Sequence, residues 1–338
     1  MKAIILEEPG QFSLTDTFPA NETSQNEALV RVHRVGICGT DLHAFEGVQP
    51  FFSYPRILGH ELGVEILQVG ENSDGLKVGD LCAVEPYLHC GNCVACRRGK
   101  TNCCANLKVL GVHADGGMRE SLSVPTNKLH KSEKLTLDQL ALVEPLSIGF
   151  HAVSRAGVEP GEFVLVVGAG PIGLSVIQFV QFLGVKIIVM DINQDRLNFA
   201  QANFRIEAAI KFGENSPDEL NKLTNNELPV TVFDATGNQS SMNNAFNLVA
   251  AGGQIVFVGL FQGNVTFDDP NAHKRELTLH RSRNATGEDF RKVISLMESG
   301  EVNIDPWITH RVLFAEVTNQ FESWLDPNSK FIKAVIRL

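Results

Sequence analysis

The segment "FVLVVGAGPIGLSVIQFVQFLGV", residues 163–185, constrains the fold of this chain more than any other. An apolar, strand-like run ends at Gly168, and the Gly-rich turn "GAGPIG" (168–173) leads into a helix-like run. Four glycines, one proline and two glutamines interrupt the segment, whereas a membrane-spanning helix needs about 20 apolar residues with fewer breakers. The segment therefore predicts a buried strand, a tight turn and a helix.

This setting is the one in which a G-x-G-x-x-G motif binds a dinucleotide, although a plain α/β turn is the alternative. Gly168 permits the tight turn, Gly170 lets the backbone approach a pyrophosphate, and the helix N-terminus attracts the phosphates. The next strand ends in Asp191, 23 residues after Gly168. Its carboxylate can accept hydrogen bonds from ribose hydroxyls and would repel a 2′-phosphate, so NAD is expected rather than NADP. The predicted coenzyme contacts are Gly168, Gly170, Pro171, Ile172, Gly173, Asp191 and Arg196.

The parts of the chain before and after this motif differ in their residue patterns. Residues 1–145 contain short Val/Ile-rich runs broken by Gly, Pro and Asp, which predicts an irregular β-rich domain. Residues 146–285 alternate strand-like and helical runs, a pattern typical of a parallel sheet with crossover helices. In residues 286–338, "GEDFRKVISLMESG" predicts a helix and "KAVIRL" a closing strand. We therefore expect an α/β protein whose β-rich domain is interrupted by a doubly wound coenzyme domain.

Composition and charge exclude several classes of partner. The formal net charge is −10, and no basic tract is interleaved with aromatic residues, so nucleic acid is not expected. We interpret the net negative charge as a feature that keeps the protein soluble. The N-terminal "MKAIILEEPGQFSL" lacks the long apolar region of a signal peptide and predicts a first strand instead. We expect a cytoplasmic protein with reduced thiols and no membrane partner.

The cysteine lobe, "HCGNCVACRRGKTNCC" at residues 89–104, holds five of the seven cysteines. Disulfides are disfavoured by the reducing compartment and the short loops. An iron–sulfur cluster also uses four cysteines, but nothing else in the chain indicates electron transfer. Cysteines three positions apart can converge on one tetrahedral zinc ion. The spacing predicts a structural zinc site at Cys90, Cys93 and Cys96, with Cys103 or Cys104 as the fourth ligand.

Three further segments each contain a possible metal ligand: "GICGTDLH" (36–43), "GHE" (59–61) and "EPLSIGFHA" (144–152). Taken singly, a cysteine is usually a core residue, a histidine a hydrogen-bonding residue, and Glu-Pro part of a loop. Only together do these segments suggest a site. The candidate ligands are Cys38, His60, Glu61 and Glu144.

In this order and spacing, the motifs resemble those of the zinc-dependent medium-chain dehydrogenase/reductase superfamily over essentially the whole chain. The resemblance implies a GroES-like catalytic domain, a Rossmann coenzyme domain, and NAD(P)-linked oxidation of a secondary alcohol. Glu144 stands where the sorbitol and polyol branch has a glutamate and classical alcohol dehydrogenases have a cysteine. The segments "SYPRILGHE", "LGVHADGG" and "SRNAT" look most similar to sugar-acid enzymes of the L-galactonate 5-dehydrogenase type.

The resemblance also implies two zinc ions per subunit. It assigns the catalytic zinc to Cys38 and His60, with either Glu61 or Glu144 as the remaining protein ligand. It favours Cys104 as the fourth cysteine of the structural zinc site, because that choice matches the family spacing.

The resemblance implies roles around the substrate as well. Thr40 would hydrogen-bond to the substrate oxygen and, with His43, pass its proton towards solvent. Asp41 would orient the metal-binding imidazole. A sugar acid carries a carboxylate that is best met by arginine, and Arg56 and Arg283 stand in segments that the family brings near the substrate. The alternatives are that Arg56 is a solvated loop residue and that Arg283 contacts the coenzyme phosphate or the dimer partner.

Rival functions remain on the same scaffold. An L-threonine 3-dehydrogenase would share "GICGTDLH" and the cysteine lobe, but such enzymes tend to carry aspartate at the position of Glu144. A non-enzymatic, crystallin-like relative would usually have lost the zinc ligands. The strand-like segment "ELTLHR" (276–281) occupies the place where relatives pair across a two-fold axis, so a homodimer or homotetramer is expected.

Overall fold

The computed structural model describes residues 1–18, 26–326 and 329–338. The chain divides into two compact units: a first unit of Met1–Glu144 with Ala285–Leu338, and a second unit of Pro145–Asn284. Each division lies one residue before the corresponding boundary expected from the sequence. The catalytic role of the first unit and the coenzyme role of the second are predictions from the sequence.

The strands of the first unit begin with nine segments: β1 (Lys2–Glu8), β2 (Gln11–Asp16), β3 (Glu27–Gly36), β4 (Glu61–Val69), β5 (Leu81–Val84), β6 (Tyr87–Leu88), β7 (Lys108–Val109), β8 (Ser121–Pro125) and β9 (Leu129–Lys131). The second unit contains β10 (Phe163–Val167), β11 (Lys186–Asp191), β12 (Ala208–Lys211), β13 (Thr231–Asp234), β14 (Gln254–Phe257) and β15 (Thr278–Arg281). The chain then returns to the first unit with β16 (Ile308–Leu313) and β17 (Lys333–Arg337).

The α-helices of the described residues are α1 (Gly39–Phe45), α2 (Val94–Arg97), α3 (Leu137–Ala141), α4 (Val143–Ala156), α5 (Pro171–Val180), α6 (Gln194–Asn203), α7 (Ser216–Leu223), α8 (Gln239–Asn244), α9 (Asp269–Lys274), α10 (Gly287–Glu298) and α11 (Val317–Gln320). Within these parts of the chain, no helix combines the length and the apolar character needed to cross a membrane. The helix and closing strand expected in residues 286–338 are confirmed as α10 and β17.

The second unit is built on a parallel sheet with the strand order β12-β11-β10-β13-β14-β15 in the described residues. All of its neighbouring strands run parallel. The first strand, β10, lies in the middle, and the chain builds outward from it first on one side and then on the other. Ligands of such doubly wound sheets bind beyond the carboxyl ends of the strands, at the point where the order reverses. The predicted fold class is confirmed, and the Gly-rich turn lies at that point.

The first unit is built on a mixed sheet in the order β16-β17-β3-β4-β5-β9, with β8 also paired to β3. Alternate residues of its central strands, such as Val30 and Val32, are buried in the core of this unit. The strand β17 runs antiparallel to β3. The end of the chain therefore lies beside the segment that leads from β3 into α1.

A buried cluster of charges attaches α10 to the rest of the first unit. Lys128 Nζ donates a hydrogen bond to Glu85 Oε1, and His130 Nε2 lies 3.3 Å from Glu85 Oε2. The His130 ring also stacks on Phe290 of α10, with ring centroids 5.1 Å apart. Burial by itself would raise the pKa of Glu85, but the hydrogen bond to His130 and the charge of Lys128 hold that pKa below its usual value.

Candidate active site

A buried grouping of possible metal ligands lies where β3 ends and β4 begins. Cys38 precedes α1 as its N-cap, and His60 stands immediately before β4. The antiparallel register of these strands places Gly36 opposite Glu61. One ligand atom from each of Cys38, His60 and Glu61 lies within 4.8 Å of the others. A Cβ at Gly36 would come 2.1 Å from Glu61 Oε2, so this close approach requires glycine.

Asp41 lies directly behind the histidine of this grouping. Its Oδ2 accepts a hydrogen bond of 2.9 Å from the Cys38 backbone N–H, and its Oδ1 is 3.6 Å from His60 Nδ1. Burial alone would lower the pKa of His60, but Asp41 and Cys38 together raise it well above its usual value. Asp41 is thus placed where the resemblance expects a carboxylate that orients the imidazole.

Lys333, which the sequence analysis did not identify, is the counterion of Glu61. Its Nζ donates hydrogen bonds of 2.6 and 2.8 Å to the two carboxylate oxygens and one of 2.9 Å to the Ile37 carbonyl. Burial alone would lower the pKa of Lys333, but the Glu61 carboxylate raises it. The only signal in the sequence was a lysine that opens the apolar closing strand.

Glu144 differs from Glu61 in its partners. It lies in the first turn of α4 rather than in the loop that Glu-Pro suggests when taken singly, and proline is tolerated in the first turn of a helix. The Tyr87 hydroxyl donates a hydrogen bond to Glu144 Oε1. Among the described residues, Glu144 Oε2 has no hydrogen-bond partner although it is buried. Burial raises the pKa of Glu144 to about 7.

The donor set of this region fits a zinc ion. A buried carboxylate oxygen without a partner is unfavourable, and a cation would supply the missing partner of Glu144. Thiolate, imidazole and carboxylate are also the ligands that zinc takes in catalytic sites. Thr40 and His43 lie three positions apart on α1, so they share one face of this helix. Thr40 is half-buried and His43 is exposed, which is the order that a path from the site to solvent requires.

The cysteine lobe brings four sulfurs together, within 4.8 Å of one another. The Sγ atoms of Cys93 and Cys96 are 3.5 Å apart, as are those of Cys90 and Cys104. The grouping includes Cys104, whereas Cys103 is exposed and lies outside it. No disulfide joins any of the seven cysteines, all of which lie in the described residues. A closed set of four thiols fits a structural zinc ion.

The Gly-rich turn has the geometry expected of a dinucleotide site. Gly168 has a φ of +94°, which favours glycine. A Cβ at Gly173 would lie 1.7 Å from the Gly168 carbonyl oxygen, so a side chain there would force the helix away from the strand. The helix α5 begins at Pro171, a residue whose fixed φ suits the first helical position. Ile172 follows in the same turn of the helix.

Asp191 and Arg196 both lie beside this turn. Asp191 Oδ2 accepts a hydrogen bond of 2.6 Å from the Ala169 N–H, and Oδ1 accepts one of 2.7 Å from the Asn193 N–H. The Arg196 Nη1 atom is 3.6 Å from the position of a Cβ built on Gly170. A guanidinium over the turn and a carboxylate beside it suit the phosphates and the ribose of a dinucleotide, respectively.

The two arginines considered for a substrate carboxylate have different surroundings. Arg56 Nη1 is 3.2 Å from Asp115 Oδ1, and its Nη2 donates a hydrogen bond of 2.9 Å to Ser53 Oγ. A substrate carboxylate at Arg56 would therefore have to share this guanidinium with Asp115. Arg283 belongs to the second unit and is exposed.

Comparisons with known proteins agree with this arrangement. The model of the alcohol dehydrogenase GroES-like domain matches residues 24–134, and that of the zinc-binding dehydrogenases matches residues 171–299. The chain is 46% identical over 311 residues to L-galactonate-5-dehydrogenase of Escherichia coli K12, which covers 92% of both chains. It is 30% identical over 312 residues to 2-dehydro-3-deoxy-L-galactonate 5-dehydrogenase of Pseudoalteromonas atlantica, over 92% of this chain and 91% of the relative.

A solved structure, the alcohol dehydrogenase RspB of Escherichia coli CFT073 with NADH, superposes with a TM-score of 0.92 at 30% identity and covers 100% of this chain and 99% of that one. The chain therefore belongs to the zinc-binding alcohol dehydrogenase family. As a member of this family it is an oxidoreductase, and the two relatives named above are dehydrogenases named for sugar-acid substrates. The predicted enzyme class and the predicted cofactors, zinc and a nicotinamide dinucleotide, are those of the family.

The two metal groupings lead to a test by zinc content. Purified protein should contain two zinc ions per chain, and Cys93→Ser should contain about one, because three thiolates cannot close the tetrahedron. Cys93→Ser should also melt at a lower temperature, since binding of a structural metal contributes to folding. Elemental analysis and thermal unfolding measure both effects, with Cys103→Ser as the matched control that keeps two zinc ions. A Cys93→Ser protein with two tightly bound zinc ions would contradict the assignment.

Proposed function

We propose that this chain oxidises a secondary hydroxyl of a sugar acid to a ketone with NAD, and that L-galactonate is the first substrate to test. The observation that carries the proposal is the buried grouping around Cys38 and His60 in a chain that is 46% identical to an L-galactonate-5-dehydrogenase. In this proposal the first unit is the catalytic domain and the second unit binds the coenzyme.

We propose Cys38, His60 and Glu144 as the protein ligands of the catalytic zinc. Glu61 lies close to the first two, within 4.8 Å, but both of its oxygens are engaged by Lys333. Glu144 instead keeps a buried oxygen without a partner in the described parts of the chain. The grouping within 4.8 Å does not include Glu144, so the partners of the two carboxylates, and not proximity, favour Glu144.

When bound, zinc supplies a Lewis acid for the substrate hydroxyl, and NAD supplies the hydride acceptor. The residues of the chain position the substrate and move its proton. Thr40 Oγ1 accepts the proton of the substrate hydroxyl and donates its own to the exposed His43 imidazole, which releases it to solvent. Asp41 Oδ1, 3.6 Å from His60 Nδ1, orients the His60 ring, and the proposed ligands His60 and Glu144 are themselves buried away from bulk water.

The substrate class is tested by comparing L-galactonate with galactitol, the polyol that lacks the carboxylate. Losing one charged, desolvated contact typically costs about 2–5 kcal/mol, so kcat/KM should favour the aldonate by roughly 30-fold or more. If Arg56 holds the carboxylate, Arg56→Ala should remove this preference. Asp115→Asn should then strengthen it, because the competing carboxylate is gone; Arg283→Ala tests the second arginine.

Three outcomes distinguish the candidate functions in that experiment. Galactitol or sorbitol as the better substrate would overturn the sugar-acid proposal in favour of a polyol dehydrogenase. Turnover of L-threonine alone would favour a threonine dehydrogenase. No turnover with any of these substrates, in protein that contains zinc, would contradict the proposed function altogether.

The coenzyme preference follows from the position of Asp191. The natural protein should use NAD far better than NADP, because a 2′-phosphate would meet this carboxylate. Asp191→Ser should weaken NAD binding and reduce the preference at least about tenfold, the factor that corresponds to 1.4 kcal/mol. Steady-state kinetics with both coenzymes measure this, with Asp218→Ser, an exposed carboxylate of the same unit, as the control. Equal kcat/KM for the two coenzymes in the natural protein would rule out the NAD assignment.

We propose that the subunits associate in pairs through β15. This strand ends the sheet of the second unit on one side, and its Leu279 side chain is 45% exposed. Such an edge is a liability that pairing with a second copy would cover.

The seven free cysteines support the further proposal of a reducing, cytoplasmic location.

Light scattering tests this association at working protein concentration. The natural chain should be a dimer or tetramer, and Leu279→Lys should shift it towards the monomer because a charge would be buried in the interface. Phe212→Lys, which changes an exposed apolar residue just beyond the opposite edge of the sheet, is the matched control and should not dissociate the assembly. A natural protein that is strictly monomeric would refute the proposal.

A further inference from the structure

We propose that Tyr87 is a positioning residue of the catalytic zinc site: its hydroxyl holds Glu144 Oε1 and thereby presents Oε2 to the metal. This inference rests on the proposed function, because it assumes that Glu144 binds the catalytic zinc. It goes beyond that function by assigning a role to a residue that no motif of the sequence identified.

The contacts of the Glu144 carboxylate carry the proposal. Tyr87 is 2% exposed, and its hydroxyl donates to Oε1. Oε2 is equally shielded from water and has no hydrogen-bond partner in the described residues. The end of a glutamate side chain turns easily about its last bond. A donor on one oxygen removes that freedom, so the direction of the other oxygen is set before a metal arrives.

The tyrosine is held by the main-chain pairing of its strand and by an aromatic neighbour. It belongs to the two-stranded ribbon of β6 and β7, in which it lies opposite Val109. The Leu110 N–H donates a hydrogen bond of 3.0 Å to the Pro86 carbonyl and continues this ribbon. The Phe290 ring packs edge-on against the Tyr87 ring, with centroids 6.2 Å apart and an interplanar angle of 81°. A hydroxyl mounted in this way can determine the orientation of a flexible carboxylate.

The ribbon also connects Tyr87 to the cysteine lobe. The strand β6 ends at Leu88, immediately before the cysteine lobe, and β7 begins at Lys108, shortly after it. The lobe therefore forms the closed end of the ribbon that carries the tyrosine. A structural zinc ion in the lobe would therefore hold the loop that joins the two strands of this ribbon.

Removing the hydroxyl should weaken zinc binding without removing a ligand. Groups that hold a metal ligand in place typically contribute 10–100-fold to metal affinity. Tyr87→Phe deletes one oxygen and keeps the ring that packs on Phe290, so the fold should be preserved. The chain offers a matched control, because its other tyrosine, Tyr54, donates a hydrogen bond of 2.5 Å to the main-chain carbonyl of Ala44 and not to a carboxylate.

The test measures zinc release from the two-zinc protein into a chromophoric chelator, with thermal unfolding recorded for every variant. Tyr87→Phe should release the catalytic zinc about 10–100-fold faster than the natural protein, while release from the cysteine lobe is unchanged. Tyr54→Phe should release both ions at the natural rates. The absorption spectrum of protein with cobalt at the catalytic site should also change in Tyr87→Phe only.

A double variant shows whether Tyr87 acts through Glu144. Glu144→Gln alone should release the catalytic zinc at least as fast as Tyr87→Phe. In the Glu144→Gln background, Tyr87→Phe should add nothing, because the carboxylate that it orients is gone. The inference would be overturned if Tyr87→Phe, or Glu144→Gln, released the catalytic zinc at the natural rate. It would also be overturned if Tyr87→Phe had an undiminished effect in the Glu144→Gln background.

Failure of the proposed function would be seen separately, in the unaltered protein. A natural chain that binds only one zinc ion, or that oxidises no alcohol, would overturn the function and the inference together. A natural chain with two zinc ions and dehydrogenase activity, combined with unchanged zinc release in Tyr87→Phe, would overturn the inference alone.

Discussion

The carboxylates of Asp41, Glu61 and Glu144 are buried in one region of the first unit, and buried charges are stable only when they are compensated. Lys333 compensates Glu61, and Asp41 faces the His60 imidazole. Glu144 retains an oxygen that no described residue satisfies. A cation at this position would complete the compensation, so we expect metal binding and the stability of this region to be coupled.

This constraint explains why distant segments of the chain must meet. The register of β3 against β4 brings Cys38 close to His60, and the absence of a side chain at Gly36 makes room for Glu61. The closing strand β17 must then pair with β3 to deliver Lys333. The return of the chain after the second unit is therefore part of the site and not an appendage to it.

Some features were open or misleading when each segment was considered alone. The spacing of the cysteine lobe allowed either Cys103 or Cys104, and the structure includes Cys104 in the grouping of sulfurs. Glu-Pro suggested a loop at 144, but Glu144 lies in the first turn of a helix. Arg56 looked available to a substrate, whereas its guanidinium already contacts Asp115 and Ser53.

The sequence by itself determined the features that depend on neighbouring residues. The strand, turn and helix around Gly168 and the clustered cysteines were readable because their geometry is set within a short stretch of chain. The structure alone decided the partners of the two carboxylates. Lys333 meets Glu61 across 272 positions of sequence, and Tyr87 meets Glu144 across 57. Such pairs depend on strand register and packing, which bring together residues whose local sequence carries no trace of the contact.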